Sequence, residues 1–243
     1  MNTFISYSEY KKEYALNETY ESYVELNQLA KDIFDAYQKK KISINTFYYI
    51  QSFTKRKYSV INDLIKANIG IIIVTSKKSS FGAFCEPKYY TTKKEYQYLN
   101  GYIIIYNGEL YFSTLMHELQ HAYDYIRSKG KYVNTKMGNK QEKFLNARAS
   151  ANISNIDDLK KSYKKIYYRT PHEKSAIFVG TLSEINFFLD EEEIILKDFR
   201  TVYEEFKEKY KGYDYLTPKD KKILLRKFSQ YYYKLKERNI TKE

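Results

Sequence analysis

One cysteine, three histidines, three prolines, eight glycines and no tryptophan stand in a chain of 243 residues. A single thiol, Cys85, excludes an internal disulfide and a cysteine-built zinc or iron–sulfur site. Long apolar runs are missing too. The longest, Ile69 to Val74, falls far short of the roughly 18 residues of a membrane span. The opening MNTFISYSEYKKEY has no basic stretch, apolar core and small-residue cleavage site, so it does not read as a signal peptide. These absences point to a soluble protein of a reducing compartment: cytoplasmic or, if delivered by lysis or in a particle, host-cell- or virion-associated.

Lysine and tyrosine are plentiful. Lys and Arg number 42 against 30 Asp and Glu, a net charge of +12, and there are 29 Tyr and 14 Phe. Hydrophobic residues make up 43%, enough for a sizeable core and too many for a generally disordered chain. A chain rich in Lys, Ile, Asn and Tyr also follows from an AT-rich genome, so the positive charge is a weaker pointer to acidic partners than its size suggests.

The apolar period changes along the chain. Tyr23, Leu26, Leu29, Ile33, Ala36 and Tyr37 recur at helical spacing, and further helices are expected over 44–55 and 60–68. Ile69 to Thr75 is a β-branched run and reads as a buried strand; 81–85 and 102–106 are two more, the last stopped by Asn107-Gly108. A short strand or turn over 109–112 leads to a helix from Leu115 to about Ser128, with Ser113 or Thr114 as its cap and Gly130 as its stop. Residues 131–155 read as loop with a short helix. Thr170-Pro171-His172-Glu173 opens a helix to about Leu189, with proline at its first position and a Thr-x-x-Glu capping pattern. From Glu191 the chain is helical and charged, broken at Leu216-Thr217-Pro218. The expected class is α+β, a small sheet packed on helices. Three regions are expected: a helical 1–68 packed on the next, a core over 69–190, and a basic helical 191–243.

His117-Glu118-Leu119-Gln120-His121 is an HExxH sequence on the 115–128 helix, and it uses two of the three histidines. Residues four apart share a helical face, so both imidazoles can reach one metal ion. Glu118 stands about 100° round the helix, within reach of a water on that ion. A catalytic zinc takes three protein ligands and leaves a position for water. Glu173 is the first choice as third ligand, with His172, Glu142 and Asp124 as alternatives. The Thr170-to-Glu173 spacing is equally that of a capping box.

HExxH followed by Asp124, then Tyr-x-Arg-Thr and Glu-x-x-Ala, resembles the zincin metallopeptidases. It is most similar to the gluzincin branch, including toxin lethal-factor-like catalytic domains and phage-encoded zinc peptidases. The likeness covers roughly 69–189. It implies a small twisted sheet on the HExxH helix, one Zn2+ held by His117, His121 and Glu173, and a bound water activated by Glu118 as general base. It also implies a peptide or protein substrate. Tyr167 or Tyr168 would donate to the developing oxyanion, and Asp124 would orient a ligand histidine. An edge strand carrying Gly82, Ala83 and Phe84 would pair with the extended substrate.

The C-terminal lysines and arginines interleave with Tyr231, Tyr232 and Tyr233, a pattern that can also contact nucleic acid, although acidic residues are mixed in. The expected function is therefore zinc-dependent peptide-bond hydrolysis. The alternatives are a non-catalytic zinc-binding structural or interaction protein, virion-associated for instance, and a nucleic-acid-associated protein using the basic helices.

Overall fold

A computed structural model describes residues 20–55, 58–76, 82–85, 101–128, 164–165, 167–187 and 191–240. Over these residues the protein is α+β, with seven α-helices and one four-stranded sheet. They cluster into two compact units, one over Glu21–Lys129 and one over the described part of 130–243 with Tyr20. No helix among them is long and apolar enough to cross a membrane.

The first unit starts in helix α1 (Tyr20–Gln38), whose Tyr23, Leu26, Ala30 and Ile33 form a fully buried stripe at helical spacing. The next segment departs from expectation. Residues 44–55 are not a helix but a turn, a strand β1 (Phe47–Tyr49) and a 3-10 turn (Ile50–Ser52). Asn45 takes a left-handed conformation, φ +62°, and its amide donates to the Ile73 carbonyl at 2.7 Å. The aromatic triplet that follows suits a pleated surface better than a helix. Helix α2 (Ser59–Lys66) buries Val60, Ile61 and Leu64, and its Val60 amide donates to Glu25 of α1 at 2.8 Å. A carboxylate from another helix thus satisfies an amide that no intrahelical carbonyl can reach.

Strands β2 (Ile69–Ile73), β3 (Gly82–Cys85) and β4 (Gly101–Ile105) complete a sheet of order β1-β2-β4-β3. β2 and β4 run parallel, Ile69 opposite Gly101 through Ile73 opposite Ile105, while β1 and β3 are antiparallel to their neighbours. Ile71, Ile73, Ile103 and Ile105 turn to one face and are buried. Gly70 is required by β1: a Cβ there would lie 1.8 Å from the Phe47 ring. Asn107 and Gly108, φ +65° and +73°, reverse the chain after β4. It then enters helix α3 (Phe112–Arg127), which packs on β3, β4 and α2. Leu115, Met116 and Leu119 are fully buried there, each contributing roughly 1.5–3 kcal/mol relative to exposure.

The second unit is helical. In α4 (Pro171–Glu184) every side chain from Ser175 to Ser183 is buried, and Thr181 and Ser183 donate to the carbonyls of Ile177 and Val179. The helix ends at Glu184, short of the expected Leu189, with Asn186 left-handed beyond it, φ +54°. Helices α5 (Glu191–Leu196), α6 (Phe199–Lys209) and α7 (Pro218–Ile240) follow. Asp198 caps α6 by accepting from the amides of Arg200 and Thr201 at 2.9 and 3.1 Å. At the break before α7, Thr217 and Asp220 form a reciprocal cap. The core here is aromatic: Phe206 meets Phe228 at 4.7 Å between ring centroids and Phe178 at 5.4 Å, and Tyr203 meets Phe228 at 5.2 Å.

Candidate metal centre

Helix α3 starts one residue after Tyr111, whose carbonyl accepts from Leu115. Ser113 and Thr114, the expected caps, lie inside its first turn. Two turns in, the Nε2 atoms of His117 and His121 are 3.0 Å apart, and their rings cross at 84°. Two ligands 2.0–2.1 Å from one tetrahedral ion are separated by about 3.3 Å, so this approach is near what shared coordination needs. Glu118 is buried beside them, at 6% exposure.

Strand β3 comes close to that carboxylate. A Cβ on Gly82 would stand 2.8 Å from Thr114 Cγ2, 3.0 Å from Glu118 Cγ and 3.1 Å from Glu118 Oε1. Glycine is therefore what lets the strand lie on the helix at this point. Two residues on, Phe84 shares that face: its ring meets Tyr125 of α3 at 5.5 Å and covers Gly101. Ala83 alternates to the opposite face of the sheet. β3 pairs with β4 and is the last strand of the sheet among the described residues. Phe81, expected to open this strand, lies outside them.

On α3, residues 117, 120, 121 and 124 share one face. Gln120 is fully buried and donates from Nε2 to Asp124 Oδ1 at 2.8 Å. Tyr106, just past β4, is a residue the sequence reading passed over. Burial pushes its hydroxyl pKa up, and the Cys85 and Glu118 charges push it further. Its only sequence signal is its place at the end of a strand next to the HExxH segment.

Glu173 sits in the first turn of α4. Thr170 precedes the helix in extended conformation with Pro171 first inside, as the sequence predicts. The capping box does not form. The Thr170 side chain makes no capping bond, and its amide donates to the Tyr167 carbonyl at 3.0 Å. His172 Nε2 lies 3.7 Å from Glu173 Oε1. His117 and His121 of the first unit and Glu173 of the second are a group of side chains that could hold a metal ion. Among the described residues this is the one such group, and it does not include His172 or Asp124. Glu142 and the 131–155 segment lie outside the described residues. Two imidazoles and a carboxylate can hold a divalent ion.

Tyr168 is near this carboxylate. Burial raises its pKa most, followed by the Tyr215 and Glu173 charges. Its ring stacks on Tyr215 at 5.3 Å and 16°, and Tyr167 crosses it edge-on at 5.3 Å. In the basic C-terminal helices several lysines are engaged within the chain. Lys221, Lys227 and Lys236 sit over the rings of Tyr213, Phe178 and Tyr232 at 4.5, 4.5 and 5.1 Å, and Lys197 pairs with Glu193 at 2.7 Å. Comparison with protein-family models, with curated proteins and with solved structures returns no match.

Proposed function

We propose that this chain is a zinc-dependent peptidase of the zincin type, with His117, His121 and Glu173 as metal ligands. The observation that carries the reading is the His117–His121 pair of α3, its Nε2 atoms 3.0 Å apart, with a buried Glu118 beside it under a strand whose glycine admits close approach; Glu173 supplies the third donor of the set. Zinc, once bound, supplies a Lewis acid that polarises a carbonyl and acidifies a water molecule.

Glu118 takes the proton from the attacking water and passes it to the departing amine nitrogen. Its burial beside an apolar helix face keeps it close and oriented for both transfers. An extended peptide adds to β3, the last strand of the sheet among the described residues, along Gly82, Ala83 and Phe84, its backbone in antiparallel register and its side chains alternating between the two faces. Tyr168, held protonated well above neutral pH, donates a hydrogen bond to the carbonyl oxygen as it gains charge. Asp124 orients the histidine face of α3.

The test is cleavage of a fluorogenic peptide library by wild type and Glu118→Gln. Wild type cleaves, 1,10-phenanthroline stops it and added zinc restores it. Glu118→Gln loses activity by on the order of 10²–10⁴. Cleavage that survives both the chelator and Glu118→Gln would refute the proposal.

A further inference from the structure

The start of α4, which carries Glu173, and the residues just before it are held by the segment joining α6 to α7 and by the first turn of α7. On one side Tyr168 stacks on Tyr215, and Arg169 Nε donates to the Tyr215 carbonyl at 2.7 Å. The Tyr168 ring also lies against Gly212, where a Cβ would stand 2.2 Å from it. Gly212 has φ +83°, a conformation side-chain-bearing residues rarely adopt, so the slot suits glycine on two counts. On the other side Lys174 Nζ pairs with Asp220 Oδ1 at 2.8 Å. The Tyr210 hydroxyl donates to the Lys174 carbonyl at 3.4 Å. Asp220 cannot swing freely, because its second oxygen is held by the Thr217 hydroxyl at 2.7 Å in the cap of α7. Residues 168, 169 and 174 are thus tied to a rigid corner, and Glu173 lies between them.

We propose that this corner positions Glu173 for metal binding, with Lys174 and Asp220 as positioning residues that act through it; the inference rests on Glu173 being a ligand. Residues that orient a ligand without touching the ion typically change metal affinity by about 10–100-fold when removed. The corner is also why a helical tail more than 40 residues beyond Glu173 belongs to the machinery of the site.

Zinc affinity is measured on the full-length chain by competition with a chromogenic chelator. The variants are Lys174→Met, Asp220→Asn, Lys174→Arg and, as a control ion pair elsewhere in the same unit, Lys197→Met. Lys174→Met and Asp220→Asn are expected to bind zinc about 10–100-fold more weakly, with Lys174→Arg and Lys197→Met near wild type. Circular dichroism of each zinc-free variant establishes that it is folded, and Asp220→Asn keeps the test open if Lys174→Met does not fold. Wild-type affinity in folded Lys174→Met or Asp220→Asn overturns the proposal, as does an equal loss in Lys197→Met. If wild type itself binds no zinc, the ligand reading falls and this inference with it; the loss then appears before any substitution.

Discussion

Gly82 of β3 lies over Glu118 of α3, so closely that a Cβ would come within 3.1 Å of the Glu118 carboxylate oxygen. A strand edge and a buried carboxylate are brought together by the lack of one side chain. Gly82→Val has to displace Thr114 or Glu118, and overpacking of this kind costs about 1–3 kcal/mol. The expected outcome is a lower urea midpoint and a large drop in peptide cleavage with zinc content unchanged. A fully active Gly82→Val would show that Glu118 tolerates being moved.

Tyr168 and Tyr167 are adjacent in sequence; burial, then the Tyr215 and Glu173 charges, raise the pKa of the Tyr168 hydroxyl. Tyr168→Phe keeps the stack on Tyr215 and removes the donor. It is expected to lower kcat by on the order of 10²–10³ with zinc retained, whereas Tyr167→Phe stays near wild type. Steady-state kinetics on both variants check this, and equal effects would contradict it.

Tyr210 is buried, and burial pushes its pKa far above the usual value near 10, with the Asp220 charge adding to the shift. Its native form holds the phenolic proton after the unfolded chain has released it. Stability is therefore complete below pH 10 and falls as pH rises above it. Tyr210→Phe should flatten that alkaline fall. At neutral pH it should cost about 0.5–1.5 kcal/mol for the lost bond to the Lys174 carbonyl. Urea midpoints from pH 7 to 11 measure both effects.

Phe228 touches Phe187, Phe199, Tyr203 and Phe206 in the aromatic core. Phe228→Ala should destabilise the chain by about 3–5 kcal/mol, because rigid rings around it cannot close the cavity. Chemical denaturation reads this directly.

The parts of the molecule legible in the sequence are those set by local patterns. His117 and His121 share a face because of their spacing alone, and 69–73 and 101–105 are strands as their β-branched runs predict. The α7 start follows from Thr217-Pro218, which caps locally. Residues 44–55 misled because their fate is decided by partners far along the chain: Phe47 and Tyr49 pair with Ile72 and Gly70. The start of α3 misled for the opposite reason, since Ser113 and Thr114 look like caps but the Tyr111 carbonyl already opens the helix. Glu173 could be nominated from a motif, whereas the absence of a capping bond from the Thr170 side chain is not something the Thr-x-x-Glu spacing could reveal. Tyr106 beside Glu118, and the Lys174–Asp220 and Arg169–Tyr215 pairs, join residues too far apart in sequence for any periodicity to reveal.

Metal content by elemental mass spectrometry on wild type, His121→Ala, Glu173→Ala and Glu118→Gln, purified without chelator, tests the central claim most directly. The account predicts one zinc per chain in wild type and Glu118→Gln, and its loss or marked weakening in His121→Ala and Glu173→Ala. Full zinc retention in Glu173→Ala would contradict the three-ligand site, and wild type that takes up no zinc even when supplied would contradict the peptidase itself.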